Sequence, residues 1–320
     1  MLLYRETPVR LIFLGSPAFA VHPLVALVDA GYTIVAVVTQ PDRPAGRGGR
    51  LTPPPVKEAA VARGLPVLQP ATLRDPAVVA QLAALNPEVG VVTAYGELLR
   101  KNVLALPPLG YLNLHPSLLP LHRGPTPVAG AILAGDQETG VSVMRLDPGM
   151  DSGPLLAQVV VPLSPTAQAG PLTDALFRLG AQLLVEVLPR YAAGALEPQP
   201  QAHSQATVTP LLKKADGQIA WALPALVIER MVRAYDPWPG ATTTWQGQGL
   251  RINAATVHAD WSGAVAPGTL VGRTEAGAPL VATGSGALAL REVHPAGRRP
   301  MSGAAWLAGL QGAAHGRLGT

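Results

Sequence analysis

The chain has 320 residues, 48% of them apolar, which suffices for two domains with separate cores. It has no cysteine, which excludes disulfides, a thiolate nucleophile and cysteine-ligated zinc or iron–sulfur centres. The net charge of +4 is compatible with an anionic partner without indicating one, no apolar run approaches the ~20 residues of a membrane helix, and the stretch Met1-Leu2-Leu3-Tyr4-Arg5-Glu6 lacks the apolar segment of a signal peptide, so a cytoplasmic protein with no membrane contact is expected.

Residues 10–14 read as a strand that ends at Gly15. Ser16-Pro17 then suits an N-cap and first helical residue, and Val21, Leu24, Val25, Leu27 and Val28 give one apolar helix face closed at Gly31. Residues 33–39 form a buried strand, so the chain opens with a β-α-β unit and a parallel sheet. The turn after the first strand lacks the G-x-G-x-x-G spacing, which argues against a dinucleotide cofactor. Residues 40–55 form a long Pro/Gly loop carrying Arg43, Arg47 and Arg50. Helices are expected at 54–63, 75–85, 97–104, 125–134 and 171–191, and strands at 67–68, 89–94, 110–114, 140–146 and 155–163. Residues 1–190 thus read as one doubly wound, mostly parallel α/β domain, and 191–209, with Gly194, Pro198, Pro200 and three glutamines, as a linker. From 210 to 320 the pattern changes to short strands at 242–245, 250–255, 269–272, 280–283 and 287–293, the spacing of a small barrel or sandwich, followed by a helix capped by Ser302.

The stretch Asn113-Leu114-His115-Pro116-Ser117-Leu118-Leu119-Pro120 holds the chemistry. Side chains two apart on a strand leave the same face, so Asn113 and His115 point together at a strand's carboxyl end, where open α/β sheets bind ligands. The loop Asp147-Pro148-Gly149-Met150-Asp151-Ser152-Gly153 supplies a carboxylate. An amide, an imidazole and a carboxylate can stabilise an oxyanion and move a proton. Either Asn113 or His115 alone is more often a satisfied structural group. Asp147, placed before Pro148, competes with Asp151 as the acid and equally suits capping its own turn.

The ordered blocks Asn-x-His-Pro-Ser-Leu-Leu-Pro, Arg123-Gly124-Pro125 and Asp151-Ser152-Gly153 resemble the folate-dependent formyltransferase family. Residues 39–48, Ala94-Tyr95-Gly96, residues 236–240 and residues 295–299 are also similar to it, so the resemblance spans nearly the whole chain. It implies formyl transfer from 10-formyltetrahydrofolate, without a metal, to the amino group of methionine carried on an initiator tRNA. It also implies an OB-like barrel for the second domain and singles out Asn113, His115 and Asp151 as catalytic. Ser117, Leu118, Leu119, Pro120, Tyr95 and Gly96 are expected along the folate site, although Tyr95 and one of the leucines can equally be core. Arg123 can meet a folate carboxylate or brace a loop.

Arg43, Arg47 and Arg50 suit gripping the phosphates of an acceptor stem, and the resemblance emphasises Arg47. The alternative is a solvated surface loop. Lys213, Lys214, Arg298 and Arg299 extend the candidate RNA-binding set. A small-amine formyltransferase and a hydrolase that passes formyl to water are the competing readings, and a monomer is expected.

Overall fold

Strand β1 (Arg10–Gly15) pairs in parallel with β2 (Thr33–Val38) on one side and, on the other, with a strand that follows much later in the chain. The structure, a computed structural model, describes residues 9–45, 49–310 and 316–319. The chain divides into one unit of Met1–Pro127, Glu138–Pro162 and Thr173–Thr209, and a second of Val128–Gln137, Leu163–Leu172 and Pro210–Thr320.

In the first unit, α1 (Val21–Asp29) connects β1 to β2, and a hairpin of β3 (Arg43–Ala45) and β4 (Arg50–Thr52) follows. Next come α2 (Pro55–Val61), β5 (Val67–Leu68), α3 (Pro76–Ala84), β6 (Val89–Thr93), α4 (Lys101–Leu104) and β7 (Tyr111–His115). The helix α5 (Pro127–Ala134), which from Val128 on belongs to the second unit, precedes β8 (Glu138–Arg145) and β9 (Leu155–Pro162), and α6 (Ala169–Ala192), part of the first unit from Thr173 on, closes the series. The seven strands run β5-β2-β1-β6-β7-β8-β9. Five pair in parallel, and β8 alone runs the other way, antiparallel to β7 and to β9, the latter joined to it by a loop too short for a crossover. Leu11, Ile12, Phe13, Leu14, Val37, Val38 and Val91 are fully buried, as strands covered on both faces require.

In the second unit, α7 (Ala225–Ala234) packs Ile228 and Val232 against an antiparallel sheet. The sheet runs β10 (Ala241–Trp245), β11 (Gln248–His258), β14 (Ala287–Pro295), β13 (Pro279–Ala282), β12 (Leu270–Arg273), with β15 (Met301–Ser302) beside β14. Its two edges are joined by one late segment: Leu318 bridges Trp245, and Arg317 bridges Thr269. Those bridges tie β10 to the start of β12, closing the sheet at that point into a barrel. The core holds Trp221, Trp245 and Trp306, the last two meeting edge-to-face at 5.5 Å. Ser302 caps α8 (Gly303–Ala308) by accepting from the Ala305 amide.

Several sequence expectations change locally. Ser16 does not cap α1: its hydroxyl accepts from the Gln40 amide, and a 3-10 turn at Ala18–Ala20 leads into the helix. The helix expected from 97 starts only at Lys101, because the Glu97 carboxylate is engaged by the Leu73 amide and the Thr72 hydroxyl. The segment expected as a free linker is bound to the first unit. Leu155 and Gln199 exchange backbone hydrogen bonds of 2.7 Å, Val208 bridges Arg123, and Gln201 and Thr209 are buried.

Candidate active site

Asn113 and His115 occupy alternate positions of β7, with Asn113 half-buried and His115 only 4% exposed. Both reach Asp151. The Asn113 Nδ2 donates to Asp151 Oδ1 at 3.3 Å, and His115 Nδ1 lies 3.6 Å from Asp151 Oδ2. The Gly124 amide donates to Oδ2 at 2.7 Å, anchoring the carboxylate on its other side. The backbone of Asp151 adopts φ +49, a left-handed conformation that aspartate tolerates better than most residues.

His115 Nε2 is 2.9 Å from the carbonyl oxygen of His122. A carbonyl only accepts, so Nε2 carries the proton and Nδ1 is the nitrogen that faces Asp151. Burial holds the imidazole below its ordinary value of 6.5, against the opposing influence of the Asp151 charge and the His122 carbonyl. At neutral pH the ring is therefore neutral, with a free lone pair beside a carboxylate. That pair is a proton acceptor: one proton delivered between them satisfies both. The 3.6 Å gap is too long for a direct hydrogen bond, as is common at catalytic pairs without substrate.

The sequence left two residues undecided, and the structure assigns both structural contacts. Asp147 accepts from the Gly149 amide and the Ser152 hydroxyl, so it closes its own turn. Arg123 is 8% exposed and braces the loop, donating to Gln201 and meeting His203.

The expected folate residues divide. Tyr95, Ser117 and Leu119 are buried, so the alternative of a core role holds for the side chains of Tyr95 and of one leucine. Tyr95 packs among Leu14, Val38 and Tyr111 of the core, and burial pushes its phenol up to about 12. The Ser117 hydroxyl donates to the Leu121 carbonyl, and Leu119 is held by Ser142 and Gln158. Leu118 and Pro120 remain partly exposed. Gly96 has φ +90 with open space where a side chain would stand, and Leu98 is 78% exposed two residues on. Gly96 and Leu98 follow β6, whose Val92 pairs with Asn113.

Of the candidate RNA contacts, Arg43 and Arg50 are exposed on the β3–β4 hairpin, and Arg47 lies outside the described residues. The hairpin's base is fixed: Lys57 reaches both Asp42 carboxylate oxygens at 2.8 Å and Gln69 donates to the same group, contacts that hold it below the usual carboxylate range. Lys213, Lys214, Arg298 and Arg299 are exposed in the second unit. Among the described residues no cluster of three or more His, Asp or Glu suits a metal ion, and no helix is long and apolar enough to cross a membrane. Sequence reasoning missed Gln201 and the Gly124 amide, the first because it sits in a stretch without periodicity, the second because a backbone donor has no sequence signature.

A proton acceptor and an amide donor at one strand end are the equipment of an enzyme that transfers a small acyl group. Residues 9–188 match the family described as formyl transferase, and residues 211–311 match the formyl transferase C-terminal domain. The methionyl-tRNA formyltransferase of Chloroflexus aggregans is 71% identical over 94% of this chain and 97% of its own length. That of Roseiflexus sp. (strain RS-1) is 62% identical over 98% and 96%. HypX from Aquifex aeolicus, solved in complex with tetrahydrofolic acid, shares the fold with a TM-score of 0.62 at 17% identity, over 96% of this chain and 48% of that one. The chain belongs to the formyl transferase family and, within it, groups with the methionyl-tRNA formyltransferases.

Proposed function

We propose that the protein transfers the formyl group of 10-formyltetrahydrofolate to the α-amino group of methionine on initiator methionyl-tRNA, the step that prepares this tRNA for translation initiation. The observation that carries the reading is the convergence of Asn113, His115 and Asp151 at the end of β7. Bound folate supplies the electrophilic formyl carbon, and Gly96 and the exposed Leu98, with Leu118 and Pro120, would hold its ring. An incoming amine arrives as an ammonium and must lose a proton before it attacks. Asp151 and the Nδ1 of His115 accept that proton between them and return it towards the leaving nitrogen. The Asn113 amide donates to the formyl oxygen as negative charge develops there, a contribution of roughly 3 kcal/mol per donor in a site shielded from water. Placed in this way, the protein needs no covalent intermediate, because the amine is itself the nucleophile.

The exposed arginines of the β3–β4 hairpin and the basic pairs on the second unit support a macromolecular, anionic acceptor. We take the enzyme to act as a monomer in the cytoplasm. The decisive assay offers charged initiator tRNA, uncharged tRNA and free methionine side by side with 10-formyltetrahydrofolate. Formyl on charged tRNA alone is expected. Folate turnover without formylated tRNA would instead indicate a small-amine transferase or a hydrolase. A further expected outcome concerns the hairpin: Arg43→Ala with Arg50→Ala raises KM for the charged tRNA about tenfold and leaves KM for folate unchanged, and flattens the salt dependence of tRNA binding by about two phosphate contacts. An unchanged tRNA KM would return these arginines to ordinary surface charge.

A further inference from the structure

Gln201 lies outside every block that identifies the family, in a stretch whose composition reads as a linker, yet it is only 5% exposed. Its Nε2 donates to the carbonyl oxygen of Asp151 at 2.9 Å and to that of Gly153 at 2.7 Å. Its Oε1 accepts from Arg123 Nε at 3.1 Å and from Arg123 Nη2 at 2.6 Å. The partners fix the orientation of the amide, since a guanidinium only donates and a backbone carbonyl only accepts. Arg123 is held in turn: its amide donates to the Thr207 carbonyl, its own carbonyl accepts from the Thr209 amide and hydroxyl, and its Nη2 meets His203 Nδ1.

These contacts form a frame around one carboxylate. The Gly124 amide holds the Asp151 side chain, and the adjacent residue, Arg123, holds the glutamine that grips the Asp151 main chain. A residue in the left-handed region with its carbonyl free would have other conformations open to it. Here the carbonyls on both sides of Ser152 are tied to a single buried amide.

We infer that Gln201 is a positioning residue, fixing the Asp151 loop so that the carboxylate stays between Asn113 Nδ2 and His115 Nδ1. The inference rests on the proposed formyl transfer and deepens it. Its consequence for His115 has a sign. The Asp151 charge raises the His115 pKa, opposing burial, while the bond to the His122 carbonyl also raises it and the neighbouring His122 ring lowers it. A carboxylate that drifts away removes the largest of the raising influences, so the imidazole titrates at lower pH.

The test compares wild type with Gln201→Glu and Gln201→Asn in the formyl-transfer assay with charged initiator tRNA. Gln201→Glu keeps the volume and a partner for Arg123 but loses both donors to the loop. Gln201→Asn keeps the amide but is one methylene too short to span Arg123 and the two carbonyls. For both, kcat is expected to fall about a hundredfold, the cost of a misplacement near 1 Å, with KM for folate and tRNA little changed. The acid limb of the kcat profile is expected to shift to lower pH. Thermal melting establishes that each variant is folded. Folded variants with wild-type kcat and an unmoved acid limb would overturn the inference, as would kcat and KM worsening together with the limb unmoved, the mark of a structural role only. A wild-type protein that formylates no tRNA would overturn the functional reading itself and this inference with it.

Discussion

Asp151→Asn lowers kcat about a thousandfold, within the range for loss of a positioned acid–base group, while the charged tRNA and the folate still bind. The substitution preserves volume, and an amide oxygen can still accept from Gly124. What it removes is the charge. The remaining amide nitrogen then faces the Asn113 Nδ2, donor against donor, in place of the 3.3 Å hydrogen bond. The proton released by the attacking ammonium is left with His115 alone, and burial already holds that ring below 6.5. Without the Asp151 charge its pKa falls further, so the ring is a poorer acceptor and the acid limb of activity moves to lower pH. In the wild-type enzyme the ring must be neutral to take a proton, so activity falls as pH drops through its depressed pKa. Stability follows the same group. An imidazole kept neutral in the folded state and titrating normally when unfolded contributes stability above about 6.5, which is lost as pH falls below that value. Steady-state kinetics across pH, with equilibrium tRNA binding measured in parallel, check the prediction. A loss of less than tenfold would remove Asp151 from proton transfer.

The order of elements in the first unit was legible because buried parallel strands announce themselves as short apolar runs, as in residues 10–14 and 89–93, separated by amphipathic helices. The shared face of Asn113 and His115 followed from strand alternation alone. The roles of individual polar side chains were less legible, because they depend on partners distant in sequence. Ser16 looks like a cap until Gln40 arrives, and Glu97 looks like the start of a helix until it meets Leu73. Ser117 and Tyr95 sit within recognisable blocks, and the fold turns both side chains inwards. The closure of the barrel by residues 317–318 could not be read locally, since single bridges carry no periodic pattern. The hidden half of the site is similar: the tautomer of His115 depends on a carbonyl seven residues away, and the grip on Asp151 on a glutamine fifty residues away.

Gly153→Ala tests the geometry of the Asp151 loop without replacing a polar side chain. A methyl group at this position would stand 1.9 Å from the Arg145 carbonyl oxygen and 3.2 Å from the Asp147 amide nitrogen. Both are backbone atoms, at the end of β8 and just beyond it, where the loop closes through the bond from the Arg145 amide to the Pro154 carbonyl. Neither can rotate aside, so the loop must lift from the strand. Lifting breaks that closing bond and the grip of Gln201 on Gly153, and Asp151 moves with its neighbour. Overpacking of this kind costs about 2–3 kcal/mol, or about 5–10 °C in Tm for a unit of this size. The displaced carboxylate lowers kcat about a hundredfold. Gly149→Ala is the matched control. Its methyl group would meet the Ser152 hydroxyl, a side-chain atom that can rotate aside by giving up its bond to Asp147, and the position is exposed. Its expected cost is that of one partly buried hydrogen bond, about 1 kcal/mol, without displacement of the backbone. Differential scanning calorimetry and kcat, measured on both variants, separate the two. If Gly153→Ala behaved like Gly149→Ala, the loop would have to be free to shift without cost, and the tight coupling between backbone packing at β8 and the position of Asp151 would not hold.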